Sequence, residues 1–88
     1  MTLSDLWPSL SLVSKRTALP GAIRAIRLAK QLPGSRVSVA AFMSASHLAN
    51  IESGHRVASE DAITLIARAL DVSVDAISYV TESEAAHA

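Results

Sequence analysis

From Met43 to His55 the chain reads MSASHLANIESGH, and the residues between its apolar positions are Ser, Ala, His and Asn rather than the Lys and Glu of an ordinary solvated face. Met43, Leu48 and Ile51 fall at helical spacing, so the segment predicts a helix whose other side presents Ala45, Ser46, His47, Ala49 and Asn50. Such a side suits close approach to the base edges of a DNA groove. Small residues give clearance, Ser, His and Asn offer short donors and acceptors, Asn can pair bidentately with adenine, and carboxylates there would be repelled by phosphates. A tightly packed buried helix can have the same composition, and this segment alone does not separate the two readings.

Other chemistries find little support. His47, His55 and His87 lack metal-ligand spacing, and the chain has no Cys to supply thiolates or a disulfide framework. No Ser-His-Asp arrangement or Gly-rich phosphate loop is present, so neither an enzyme nor a bound metal or cofactor is expected. The start, MTLSDLW, lacks the basic and apolar regions of a signal peptide, and the longest uncharged run, Val37 to Ile51, is too short and Ser-rich to span a bilayer. A soluble, cytoplasmic protein without membrane association is expected.

The charges are segregated. Between Lys15 and Arg56 stand Lys15, Arg16, Arg24, Arg27, Lys30, Arg36 and Arg56 against Glu52 alone; from Val57 onward Arg68 faces Glu60, Asp61, Asp71, Asp75, Glu82 and Glu84. A chain with zero formal net charge thus has a basic middle and an acidic end, a polarity that suits setting one face against a polyanion.

Short helices carry these residues. Eighty-eight residues make one small domain, and with Trp7, Phe42 and Tyr79 as the only aromatics the core rests on Ala, Val, Leu and Ile. Residues 1–19, interrupted by Pro8, read as an extended or weakly helical arm. Ile23, Ile26 and Leu28/Ala29 predict a first helix ending at Leu32 before Pro33. In PGSRVSVAAFM, Val37 and Val39 alternate with polar residues as in a strand, but no partner strand is evident, so a second helix is placed from about Ser35 to Ala41, capped by Ser35 or Gly34. After a turn at Phe42 and Met43, Ser44 caps a third helix that Gly54 stops. Ser59 caps EDAITLIARAL, where Ile63, Ile66, Ala67 and Leu70 form one stripe behind an acidic first turn. Ser73 caps a fifth, short helix burying Val72, Val74 and Ile77. The expected organisation is an arm over 1–19, an all-α five-helix domain over 20–80 and a loose acidic tail over 81–88.

The second and third helices with their tight turn make a candidate helix-turn-helix. Here the sequence resembles the Cro and phage-repressor type of helix-turn-helix domain, often called XRE-like. The pattern aligns without a gap from Ile23 to Gly54 through Ile23, Arg24, Arg27, Ala29, Lys30, Leu32, Ser44, Ile51, Glu52 and Gly54, and LIARALDVSVDAI, Leu65 to Ile77, is similar to the family's closing helices. The resemblance implies a lambda-repressor-like domain that binds a double-stranded DNA operator and regulates transcription in a phage- or plasmid-like setting, as a homodimer on a palindrome whose half-sites lie about one helical turn apart. It places base contacts at Ala45, Ser46 and Asn50, with His47 near the groove, and a buried structural ion pair at Arg27 and Glu52. Expected backbone contacts are Lys15 and Arg16 of the arm with Arg24, Ser35, Arg36, Ser44, His55 and Arg56.

The chain departs from the family in having Gly34 where a phosphate-contacting Gln usually opens the second helix, which passes that contact to Ser35 or Arg36. It also has Phe42 in place of the turn Gly. Phe carries a steric cost in left-handed geometry, which points to a wider turn or an anchoring role. The recognition helix has no Arg, Lys or Gln. These departures sustain a second reading, a protein-interaction module or an antitoxin that masks a toxin through its arm.

Overall fold

The computed structural model describes residues 12–84. Trp7, Pro8 and His87 lie outside them. The elements in order are β1 (Leu12–Ala18), α1 (Pro20–Ala29), α2 (Gly34–Ala40), α3 (Ala45–Ser53), α4 (Glu60–Leu70), a single 3-10 turn (Val74–Ala76) and β2 (Ser78–Glu84).

Local chemistry accounts for the helix limits. Pro20, with φ already suited to a helix and no N–H to leave unpaired, opens α1. This helix stops at Ala29, three residues short of the predicted Leu32, where Gln31 turns left-handed at φ 57°. α2 begins at Gly34 with Pro33 in the capping position, so neither Ser35 nor Gly34 is its cap. Ser44 and Ser59 cap as the sequence indicates: Ser44 Oγ accepts from the His47 N–H at 3.0 Å and Ser59 Oγ from the Ala62 N–H at 3.1 Å. Gly54 ends α3 at φ 83°, a conformation its missing side chain makes inexpensive.

The core is aliphatic. Ile23 of α1, Val37 of α2, Leu48 and Ile51 of α3, Ile63, Ile66 and Leu70 of α4, and Ile77 are fully or almost fully buried, and Ala41, Ala62 and Ala67 fill the spaces between them. α1 differs from its predicted face: Ile23 is buried, Ile26 packs at the edge of the core, but Leu28 is exposed and Arg27 turns inward in its place.

Among the described residues the fold is a helix-turn-helix domain with four helices, not five, and a small two-stranded sheet. The segment after Ser73 makes only one 3-10 turn. Ser73 provides no side-chain cap, Ile77 is buried as expected, and Val72 and Val74 are only half-buried. The turn does not continue as a helix because, past Ile77, the chain enters β2 at Ser78. β2 runs antiparallel to β1 from Ala18↔Ser78 to Leu12↔Glu84, and the Leu19 N–H donates to the Ile77 carbonyl at 2.8 Å, so the ribbon grows directly from the core. Residues 81–84, read from sequence as part of a loose tail, belong to this ribbon, as do residues 12–18 of the arm.

Candidate nucleic-acid interface

α3 buries Leu48 and Ile51 and exposes Ala45, Ser46, Ala49, Asn50 and Ser53. At 3.6 residues per turn those five lie within an arc of about 140° centred opposite the buried pair. The arc contains no charge. His47 stands at its margin, half-buried. The carboxylate of Glu52 is drawn off this surface: Arg27 of α1 donates to it through Nε to Oε2 at 2.8 Å and through a terminal nitrogen to Oε1 at 2.9 Å. The second terminal nitrogen of Arg27 donates to the Leu32 carbonyl at 3.0 Å. With side-chain exposures of 15% and 7%, the pair is largely shielded from water, and the Glu52 hydrogen bond holds the guanidinium above its already strongly basic ordinary value. The bidentate bridge ties α1 to the last turn of α3 and fixes the angle at which the uncharged arc is presented.

The loop after α3 folds back onto it. The Arg56 N–H donates to the Asn50 carbonyl at 3.1 Å, Ser53 Oγ donates to the same carbonyl at 3.1 Å, and His55 Nδ1 lies 2.6 Å from Ser53 Oγ. His55 and Arg56, both exposed, are thereby held beside the last turns of the helix. Arg24 on α1 and Ser35 and Arg36 in the first turn of α2 are also exposed, and Ser44 is exposed with its hydroxyl engaged as the α3 cap.

The two cations of the arm are separated. Successive strand residues point to opposite faces. Lys15 is exposed, whereas Arg16 donates to Asp75 Oδ1 at 2.8 Å and to Ser78 Oγ at 3.0 Å, pinning β1 to the 3-10 turn. Nothing in the sequence signals the Arg16–Asp75 partnership, which spans 59 positions. The Leu32 carbonyl as a second partner of Arg27 is likewise hidden, because the sequence keeps Leu32 inside the first helix.

The departures at Gly34 and Phe42 acquire definite geometry. A Cβ at Gly34 would meet only the Arg27 guanidinium, its carbon at 3.9 Å and a terminal nitrogen at 4.0 Å, both ordinary contacts, so space does not dictate glycine there. Phe42 keeps the left-handed conformation of the turn, φ 58°, and its side chain is 84% exposed. It anchors nothing among the described residues. Also among the described residues, no group of His, Cys, Asp and Glu could hold a metal ion, and no helix is long and apolar enough to cross a membrane.

A helix-turn-helix family model matches residues 23–77, which includes all four helices except the start of α1. No curated protein matches the chain. Among solved structures, the restriction-modification controller protein C.AhdI from Aeromonas hydrophila is similar with a TM-score of 0.65 and 26% identity, covering 66% of this chain and 88% of that one. The clp gene regulator ClgR from C. glutamicum is similar with a TM-score of 0.63 and 26% identity, covering 65% and 74%.

Proposed function

Because the chain belongs to the XRE-like helix-turn-helix family, whose members are DNA-binding regulators of transcription, we propose that it is a sequence-specific operator-binding protein of the phage- or plasmid-repressor kind, reading the major groove with α3. The observation that carries this reading is the uncharged arc Ala45, Ser46, Ala49, Asn50 and Ser53 on a helix whose one carboxylate is sequestered by Arg27. A helix that merely faced water would gain from charged residues there; one that enters a groove needs small residues and short polar groups.

In this reading Asn50 pairs with an adenine edge, Ser46 and His47 contact neighbouring bases, and Ala45 gives clearance, with room for a thymine methyl group. Arg24, Ser35, Arg36, His55 and Arg56 contact phosphates, and Ser44 adds to them from the start of α3. Those contacts set register and orientation while the bases set sequence. C.AhdI and ClgR are themselves named as a controller and a gene regulator, which supports the same role for this chain. A palindromic operator with half-sites about one helical turn apart, occupied by two copies, completes the proposal.

The test is enrichment from a pool of random-sequence duplexes with the full chain, followed by gel shifts of the enriched and scrambled sequences at two salt concentrations. A shared motif, bound at least about a thousandfold more tightly than the scrambled duplex at physiological salt, is expected. Equal binding of both would remove sequence-specific reading, and no binding of either would leave a protein-interaction module in a helix-turn-helix fold.

A further inference from the structure

Resting on the DNA-binding reading, we propose that the β-ribbon carries a second DNA-contacting surface, the face formed by Lys15, Thr17, Tyr79 and Thr81, which takes the phosphate backbone of the duplex flanking the segment under α3. The register pairs Lys15 with Thr81 and Thr17 with Tyr79, and the pleat puts these four positions on one face. Positions 16, 82 and 84 alternate with them and belong to the other face. None of these four register positions is acidic, and the acidic positions of β2 alternate with them in the register.

Three further observations join this face to DNA. Arg16 is committed to Asp75 and Ser78, whereas Lys15 is exposed. A shallow recess has Thr17 and Ala18 of β1 on one wall and Gly54, Arg56 and Val57 on another, so the Thr17 end of the face lies beside the cation that follows α3. Tyr79, an aromatic residue outside the core, stays 46% exposed, and its hydroxyl, with the Lys15 ammonium and the Thr17 hydroxyl, belongs to the donor set that proteins use on phosphate oxygens. The Thr81 hydroxyl donates to the Lys15 carbonyl at 3.3 Å and serves to hold the strand pair. A strip of non-acidic positions continuous with Arg56 fits a polyanion, and a duplex extending past the half-site is the polyanion already in place.

The experiment compares wild type, Lys15→Ala, Tyr79→Phe and Arg16→Ala by fluorescence anisotropy. The probes are an enriched duplex with long flanks, the same duplex trimmed to the enriched sequence, and a long duplex of random sequence, each titrated across a range of NaCl. On both long duplexes Lys15→Ala is expected to flatten the slope of log affinity against log salt by about 1 and to weaken binding roughly fivefold near physiological salt, with base preference unchanged. Tyr79→Phe should weaken binding to the long duplexes without changing the slope. Both variants should match wild type on the trimmed duplex, and Arg16→Ala should keep the wild-type slope while melting at a lower temperature.

A wild-type slope for Lys15→Ala on the long duplexes would overturn the proposal, as would an equal slope change in Arg16→Ala. Loss of a dimer by Lys15→Ala or Tyr79→Phe in sedimentation, with DNA slopes unchanged, would assign the face to a second copy instead and also overturn it. The random-sequence duplex reports the ribbon contact whether or not α3 reads bases, so the two readings fail separately. A wild-type protein that binds no duplex even at low salt would defeat both.

Discussion

Arg27 uses all three of its guanidinium nitrogens inside the protein, two on Glu52 and one on the Leu32 carbonyl. Removing Glu52 leaves a guanidinium only 15% exposed without its carboxylate partner and breaks the link between α1 and the end of α3. Glu52→Ala is therefore expected to destabilise the domain by about 3 to 5 kcal/mol in chemical denaturation, and Arg27→Ala by a similar amount. The double replacement Arg27→Met, Glu52→Leu should cost clearly less than the two single losses added together, because no buried charge is stranded. Single mutants within experimental error of wild type would show that water screens the pair. The raised Arg27 value works in one direction: its stabilisation is complete below the unfolded guanidinium's range and fades only as pH climbs beyond it, so Arg27 adds no pH dependence to stability at neutral pH. This pair was legible in the sequence because Glu52 is the lone acid in a basic stretch and the family pattern supplies a partner at Arg27. Asn50 and Ser46 were legible as exposed polar residues from their helical phase against Leu48 and Ile51. The Leu32 contact was not, since it depends on a helix ending at Ala29 and a left-handed Gln31 that no residue type there requires.

Between α2 and α3 the turn passes through a left-handed Phe42 whose ring contributes almost no burial. Non-glycine residues carry about 1 kcal/mol of strain in that conformation, and here little packing offsets it. Phe42→Gly should raise stability by about 1 kcal/mol, a gain of roughly 4 to 8 °C in Tm for a domain of this size. A lower Tm would mean that the unfolded-state freedom of glycine outweighs the strain removed at this position. The same stretch shows which elements a sequence can reveal. Ser44, Gly54 and Ser59 mark helix ends through local hydrogen bonds and local backbone freedom, and all three act as their types suggest. The ribbon depends on pairing Leu12–Ala18 with Ser78–Glu84 across the whole helical domain, and neither segment has the strong apolar alternation that marks a strand from its own residues. The predicted fifth helix is absent for the same reason: Ser73 looks like a helix cap, but long-range pairing from Ser78 onward claims the chain after one turn.

Across the molecule, the basic middle and acidic end become parts of different surfaces. Arg24, Arg36 and Arg56 are exposed on the helix-turn-helix and its following loop, Arg27 is internal, and Arg16 neutralises Asp75 of the acidic end. Zero net charge therefore does not oppose DNA binding, because the acids are concentrated after Val57 and the one acid of α3 is paired. Asn50→Ala decides whether α3 reads bases through its uncharged arc. Its side chain is exposed, and only its backbone carbonyl takes part in holding the Arg56 loop, so alanine leaves the fold and that loop intact. The measurement is the ratio of affinities for the enriched duplex and a scrambled one, at fixed salt, in wild type and variant. A base-edge contact predicts that the ratio falls by about 5- to 150-fold, equivalent to 1 to 3 kcal/mol, while affinity for the scrambled duplex and the salt slope stay at wild-type values. An unchanged ratio, or equal losses on both duplexes, would contradict the account.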